Sequence, residues 1–195
     1  MGNCRSSVQH FSEEITNIQH ETGFKRRQIL RLYSRFLSLD KEGKGYIDRD
    51  DFFTIPDLVA NPLGDRIIDA FFAEKEDSDK TLTFHEFIRV MAHFRPCSLA
   101  NDCEKNAINS RIEKLKFAFA MYDLNKNGYI TRNEFKVILI MMIGSNITSK
   151  QIESITDRTI AEGDYEKNGK ISFEGFTRAM ESINVEQLMS IRFMD

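Results

Sequence analysis

The feature that most constrains this chain is a unit that occurs four times along its 195 residues. Each copy consists of a helical pattern of apolar residues, a polar segment of twelve residues and a second helical pattern. In three copies the polar segment begins at Asp40, Asp123 or Asp164 and carries glycine five residues later. The remaining copy, at 75–86, keeps the pattern less well. Because a repeat of this kind organises the whole chain, the repeated unit sets the expected fold.

A helix, a polar loop of twelve residues and a second helix are the layout of an EF-hand. One such unit leaves an apolar face exposed, so two units are expected to pack against each other. We therefore predict an all-α fold of four EF-hand helix–loop–helix units arranged as two paired lobes. The apolar residue at loop position 8 should join the two loops of a lobe as a short strand contact, pairing Ile47 with Leu82 and Ile130 with Ile171.

Helix signals suggest where these parts begin and end. Asn61 and Pro62 predict a helix start, with proline at the first helical position, and Ser110 with Glu113 forms a capping box. Pro96 ends the last helix of the N-terminal half. The predicted parts are an N-terminal segment with the first helix at 1–22, an EF-hand pair with degenerate loops at 23–95, a linker at 96–109, a second EF-hand pair at 110–183 and a tail at 184–195.

The third polar loop has a complete set of calcium ligands. Calcium takes roughly six to eight oxygen atoms, which an EF-hand loop supplies from positions 1, 3, 5, 7, 9 and 12, with glycine at position 6. The chain reads D-x-N-x-N-G from Asp123 to Gly128 and has its position-12 acid at Glu134. The predicted Ca2+ ligands are Asp123, Asn125, Asn127, the carbonyl oxygen of Tyr129, Thr131 and Glu134.

The first two loops lack groups that calcium requires. Lys44 occupies position 5 of the first loop, where its ammonium offers no lone pair to a cation. Asp51 at position 12 is also shorter than glutamate and reaches a bidentate geometry less easily. In the second loop Lys75 and Lys80 occupy positions 1 and 6. We expect weak binding or none at both loops.

The fourth loop is intermediate between these cases. Asp164, Glu166, Asn168 and the carbonyl oxygen of Lys170 match positions 1, 3, 5 and 7. Position 12 is Gly175, which has no side chain to act as a ligand. We predict at most a weak second calcium site here, completed by water.

Composition and motif content exclude several classes of function. The 27 basic residues are outnumbered by 30 acidic ones, and the net charge of −3 argues against a nucleic-acid binder. The three cysteines lack zinc-ligand spacing and favour a reduced, cytosolic setting. The longest apolar run, at 137–143, is too short to span a bilayer. No phosphate-binding glycine loop or catalytic motif occurs, so we predict that the protein is not an enzyme.

The N-terminus matches the myristoylation pattern M-G-x-x-x-[ST], which predicts a myristoyl group on Gly2. One such chain gives only marginal membrane binding, so a second anchor is expected. Cys4 is a candidate for palmitoylation, and the basic residues at 25–35 are candidates for contact with anionic lipid. The expected location is cytoplasmic, peripherally associated with the plasma membrane and also endomembranes. The alternatives are an unmodified terminus and a basic helix face that is merely solvated.

The apolar residues are rich in phenylalanine and methionine, with 16 Phe, 8 Met and no Trp. Methionine suits surfaces that accept a partner helix, although most of these side chains are expected in the core. The run at 137–143 is apolar on all sides, so it is either buried or faces a bound helix. The half-apolar tail at 185–194 is an alternative cover for that groove. The predicted groove residues are Phe87, Met91, Phe119, Ile138, Met141 and Met142.

Several strings along the chain resemble the calcineurin B homologous proteins. They are ETGF at 21–24, RLYSRF at 31–36, NPLGDRII at 61–68, AHFRP at 92–96 and MSIRF at 189–193. The resemblance implies a myristoylated calcium-binding adaptor that clasps an amphipathic juxtamembrane helix of a plasma-membrane sodium–proton exchanger, supporting its delivery and pH-dependent activity. It also implies calcium in the third and fourth hands, a pattern from which Gly175 departs.

The alternative is a regulatory B-type subunit or inhibitor of the calcineurin protein phosphatase, with its catalytic subunit as partner. Calcineurin B resembles this chain more distantly and has functional loops in all four hands. In the first two loops here, lysines occupy positions where calcium needs ligands or glycine, which favours the exchanger adaptor.

Overall fold

The computed structural model describes residues 3–73, 80–96, 107–144 and 147–191, with side chains described from residue 13 onward. The described ranges are mostly helical, which confirms the predicted all-α class. The helices are α1 Asn3–Thr22, α2 Arg26–Leu39, α3 Arg49–Phe52, α4 Pro56–Ala60, α5 Gly64–Phe71, α6 Phe84–His93, α7 Arg111–Tyr122, α8 Arg132–Ile143, α9 Ser149–Gly163, α10 Phe173–Ala179 and α11 Val185–Leu188. The strands are β1 Tyr46–Asp48, β2 Thr81–Thr83, β3 Tyr129–Thr131 and β4 Lys170–Ser172.

The loops pair within each half of the chain through two short antiparallel ladders. Strand β1 pairs with β2, placing Ile47 opposite Leu82, and β3 pairs with β4, placing Ile130 opposite Ile171. All four side chains are buried. The predicted contacts between loop positions 8 are therefore confirmed, and they define an N-terminal and a C-terminal lobe.

The N-terminal lobe is built on the apolar stripe of α2. Its helical spacing places Ile29, Leu32, Phe36 and Leu39 on one buried face. Phe36 and Leu39 join the core around the β1–β2 ladder. Ile29 and Leu32 pack instead against α1, in a second cluster with Ile15 and Ile18. The first helix therefore belongs to the body of this lobe.

The two lobes share a third cluster at their junction, where α5 packs against α7. Phe117 of α7 lies edge-on to Phe94 and Phe71, with ring centroids 4.9 and 5.7 Å away. Buried Ala70 and Val90 complete this contact from the N-terminal side. Edge-to-face aromatic packing of this kind holds surfaces in a defined orientation. Within the described ranges the lobes therefore form one packed unit, and residues 97–106 of the predicted linker lie outside those ranges.

A fully buried lysine ties the C-terminal tail to this junction. The ammonium of Lys114 in α7 donates to the carbonyl oxygens of His93 (2.6 Å), Arg95 (3.0 Å) and Met189 (2.9 Å). Its long side chain reaches carbonyl groups at the end of α6, which no backbone N–H of that helix can pair. The same charge fixes the tail where it passes the end of α6.

Hydrogen bonds from two further residues hold the tail in place. The N–H of Ile191 donates to the carbonyl oxygen of Phe94 at 2.8 Å. Arg111 donates to the carbonyl oxygen of Ile183 at 2.9 Å and pairs with Glu186 at 2.9 Å. We name residues 183–191 the C-terminal strap, because this segment is tied to both α6 and α7.

The predicted helix start at Pro62 is wrong. Helix α5 begins at Gly64, and the preceding residues form a turn in which Asn61 Oδ1 accepts the N–H of Leu63 at 2.9 Å. A Cβ atom on Gly64 would lie 2.0 Å from the carbonyl oxygen of Leu58 in α4. The close approach of α4 therefore selects glycine as the first residue of the helix, a constraint that local sequence does not reveal.

Lys114→Met tests the lysine at the junction. Methionine keeps much of the side-chain volume but donates no hydrogen bond, so buried carbonyl groups lose a partner. We expect the free energy of unfolding in urea to fall by about 1–3 kcal/mol. The control is Lys116→Met, because Lys116 lies in the same helix with its side chain 56% exposed; its change should stay within about 0.5 kcal/mol. Equal effects of the two substitutions would contradict this role for Lys114.

Candidate metal centre

The carboxylate of the first residue holds the third loop in its curved conformation. Asp123 Oδ1 accepts the N–H of Asn127 at 3.1 Å, and Oδ2 accepts the N–H of Gly128 at 2.8 Å. Gly128 has a φ of +81°, which glycine adopts without steric cost. These bonds bring position 1 of the loop beside positions 5 and 6 and leave the remaining carboxylate lone pairs for a cation.

The acid of position 12 is held by the first turn of α8. Thr131 is the N-cap and forms a capping box with Glu134. Its hydroxyl and N–H donate to Glu134 Oε2 at 2.6 and 2.9 Å. Glu134 Oε1 accepts the N–H groups of Leu124 and Asn125 at 3.1 and 3.2 Å. The side chain therefore folds back over the start of the loop, opposite Asp123.

The surroundings of Glu134 favour its ionised form. Burial alone would raise its pKa, but hydrogen bonds from Thr131, Asn125 and Leu124 outweigh burial and hold the pKa below its ordinary value. A lowered pKa keeps the group charged at neutral pH, which a hard cation requires of its ligand.

Two amide oxygens complete the described part of the donor set. Asn125 Oδ1 accepts the N–H of Asn127 at 3.0 Å, and Asn127 Oδ1 accepts the N–H of Tyr129 at 2.9 Å. No three His, Cys, Asp or Glu side chains in the described ranges cluster in a way that could hold a metal. The loop instead combines two carboxylates with neutral oxygens, a set that fits Ca2+ in charge and chemical type.

The fourth loop repeats the turn without the acid of position 12. Asp164 accepts the N–H groups of Asn168 and Gly169 at 3.0 and 2.6 Å, and Asn168 Nδ2 donates to Glu166 at 2.8 Å. A Cβ atom on Gly175 would lie 2.5 Å from the carbonyl oxygen of Gly163. The two helices of this hand approach each other too closely at position 12 for any side chain. An acidic side chain at position 12 would therefore have no space here. The weak calcium site that uses the carbonyl oxygen of Lys170 stays a prediction.

The first two loops are described unequally. Lys44 points into the first loop, where its ammonium contacts Asp48 and Asp51. In the second loop residues 75–79 lie outside the described ranges, whereas Lys80 at position 6 is exposed.

The predicted partner groove is not gathered on one open surface. Phe87 lies in the N-terminal core and Phe119 in the C-terminal core, while Ile138 is 1% exposed. Met91 packs against the N-terminal clusters. Amphipathic helices turn these four side chains toward the interior, and this correction leaves two of the six predicted residues on the surface. Met141 and Met142 are 41% and 51% exposed.

The structure does not describe the groups that would be acylated at the predicted lipidation sites. Gly2 precedes the described ranges, and Cys4 is described only by its backbone in α1. Among the helices that the structure describes, none has the length and apolar character needed to cross a bilayer.

Comparison with known proteins identifies the family. Residues 112–181 match the family model of an EF-hand domain pair. The calcineurin B subunit of Naegleria gruberi is 38% identical over 192 residues, which cover 98% of this chain and 99% of the relative. The type 2 calcineurin B subunit of Dictyostelium discoideum is 38% identical over 99% of this chain and 98% of its own. The chain belongs to the calcineurin B family. Its Kluyveromyces lactis relative is 39% identical over 93% of this chain and 95% of its own.

Membership of the calcineurin B family agrees with the donor chemistry. The chain is a calcium-binding EF-hand protein of the calcineurin B type. The matched range contains both the third and the fourth loop. The predicted Ca2+ cofactor is therefore confirmed, and the geometry above gives the residues best suited to hold it.

Glu134→Gln tests the third loop of this calcineurin B-type chain. The amide has nearly the shape of the acid but removes one ligand charge and one carboxylate oxygen. We expect calcium affinity at the tightest site to fall by more than about 100-fold, because even ligand-orienting neighbours are worth about 10–100-fold. Isothermal titration measures this change. Glu153→Gln is the control, since Glu153 of α9 is 52% exposed and pairs with Lys136 of α8. Unchanged calcium affinity in Glu134→Gln would contradict the assignment of the site to the third loop.

Proposed function

We propose that this chain is a regulatory protein that binds Ca2+ in its third loop and holds an amphipathic helix of a partner protein. The first candidate partner is the catalytic subunit of a calcineurin-type phosphatase. The relatives named as calcineurin B subunits support this choice over the sodium–proton exchanger expected from sequence motifs. No catalytic role is proposed for the chain itself.

The observation that carries this proposal is the apolar outer surface of α8. Val137, Ile140 and Met141 are spaced to share one face of the helix and are 39–42% exposed. Met142, next to Met141 and about 100° further around the helix, is 51% exposed and widens this apolar surface. Soluble proteins seldom leave such groups together in water unless the surface has a partner. A methionine-rich helix face is also adaptable and suits an amphipathic helix laid against it.

The third loop and this surface belong to the same helix. Glu134 lies in the first turn of α8, whereas Met141 and Met142 lie near its end. Calcium bound by Glu134 would therefore act directly on the helix that presents the apolar surface. By linkage, a partner helix that prefers the calcium-bound state would tighten calcium binding by the same factor.

The second candidate partner is an amphipathic juxtamembrane helix of a sodium–proton exchanger. The observation that favours it is the loss of calcium ligands in the N-terminal lobe, where the loops carry Lys44, Lys75 and Lys80. A chain with one well-formed loop suits a constitutive adaptor better than a protein whose four loops all respond to calcium. In this role the chain would support delivery and pH-dependent activity of the exchanger.

Binding to two peptides separates the candidates. One peptide is the helix through which a calcineurin catalytic subunit holds its B-type partner, and the other is an exchanger juxtamembrane helix. We expect the calcium-loaded chain to bind the first peptide more tightly, with both affinities measured by isothermal titration. Preferential binding of the exchanger helix would reverse their order, and binding of neither would contradict the proposal.

A pair of substitutions locates the surface in the same assay. Met142→Asp should weaken binding of the preferred helix by more than about tenfold, because a charge would replace an apolar anchor. Leu37→Asp on α2 is the matched control, since Leu37 is 50% exposed and Met142 is 51% exposed. A similar loss of affinity in both variants would mean that the binding surface does not lie on α8.

We also propose peripheral attachment to the plasma membrane and endomembranes through a myristoyl group on Gly2, with Cys4 as a further acylation site. The exposed basic residues of α2 support this, because no acidic residue interrupts 25–39 and its surface would attract anionic lipid. Intact-mass measurement of protein from its own cells should show the added mass of myristate; an unmodified N-terminus would contradict the attachment.

A further inference from the structure

The first loop has the backbone of a cation-binding EF-hand loop. At loop positions 4 and 6 it places Gly43 and Gly45 in the left-handed region, with φ of +69° and +79°. The third loop does the same with Lys126 and Gly128, at +57° and +81°. The two loops therefore follow the same path, although only one has a complete set of calcium ligands.

The hydrogen bonds at position 1 are also shared. Asp40 Oδ1 accepts the N–H of Lys44 at 2.8 Å, and Oδ2 accepts the N–H of Gly45 at 2.7 Å. These are the bonds that Asp123 makes to positions 5 and 6 of the third loop. The first loop is thus closed in the same way by an aspartate that is only 5% exposed.

The ammonium of Lys44 lies between two carboxylates of this loop, and the side chain is only 18% exposed. Its ammonium donates to Asp48 Oδ2 at 2.6 Å and to Asp51 Oδ2 at 2.9 Å. These residues are positions 9 and 12, the positions held in the third loop by Thr131 and Glu134. One positive charge therefore links loop positions 9 and 12, which a bound calcium ion would also link.

The charges around Lys44 explain why it stays there. Asp51 Oδ2 also accepts the N–H of Asp48 at 2.9 Å, so both carboxylates are fixed at the start of α3. Hydrogen bonds to Asp48 and then to Asp51 raise the pKa of Lys44 above its ordinary value. The bond from Lys44 in turn lowers the pKa of Asp48. The charged Lys44 and Asp48 therefore each stabilise the ionised form of the other, and Asp51 gives the ammonium a second carboxylate partner.

We propose that Lys44 is the resident cation of the first loop: its ammonium takes the place of Ca2+ between Asp48 and Asp51, holds the loop in the ion-bound shape and excludes divalent metal. The N-terminal lobe would then keep one conformation at all calcium concentrations. This inference is independent of which partner the chain binds.

The proposal is tested by giving the loop a better position-12 acid with and without the lysine. Asp51→Glu alone should bind no more calcium than the unmodified chain, because Lys44 still fills the loop. Lys44→Asn with Asp51→Glu should bind one additional Ca2+ per chain, counted by isothermal titration of the decalcified protein. The matched control is Lys41→Asn with Asp51→Glu, because Lys41 lies exposed at position 2 of the same loop; it should gain no ion.

Two results of this experiment would overturn the proposal. One is an additional ion in Asp51→Glu alone, which would mean that Lys44 does not exclude metal. The other is no additional ion in the Lys44→Asn double variant when its cooperative melting shows that it is folded.

Hydrogen exchange of the unmodified chain provides a measurement that needs no variant. In excess chelator, the amides of Lys44 and Gly45 should be protected and should not change when CaCl2 is added. The amides of Asn127 and Gly128 should gain protection with calcium. First-loop amides that become protected only with calcium would contradict a resident ammonium.

Discussion

The antiparallel contact between paired loops is the constraint on which each lobe depends. In the C-terminal lobe, β3 consists of Tyr129–Thr131, which are also positions 7 to 9 of the calcium loop. Its middle residue, Ile130, is buried against Ile171 in the core, while its neighbours occupy the predicted ligand positions 7 and 9. The core and the candidate metal site therefore share one strand, so a substitution that displaces this strand alters both.

The same loop backbone is completed in different ways at position 12. Glu134 gives the third loop a capped and buried carboxylate. Asp51 gives the first loop a carboxylate that pairs with an internal ammonium. Gly175 leaves the fourth loop without an acid because the neighbouring backbone lies too close. Loops of one shape thus carry different donor sets, and the residue at position 12 accounts for much of the difference.

Much of this arrangement could be predicted from sequence because spacing within an EF-hand is set by local backbone geometry. The strand contacts and the third-loop ligand positions depend on residues a few positions apart; the strand contacts are confirmed, and the ligand set stays a prediction. The start of α5 could not be predicted, because the carbonyl group of Leu58 selects Gly64 from another helix. The burial of Phe87 and Phe119 likewise depends on how helices pack, which composition does not determine. Lys44 and Lys114 show the same limit for charged groups, since a long flexible side chain can reach several environments and its environment is known only once the fold is known.

The C-terminal strap has a consequence for how the protein is made. The end of α6 belongs to the first half of the chain, but it is bonded by Lys114 and by Ile191, near the other terminus. Translation proceeds from the N-terminus, so the first lobe emerges before the groups that complete it. A nascent N-terminal half therefore leaves the carbonyl groups at the end of α6 without their partners until Lys114 and Ile191 have been synthesised.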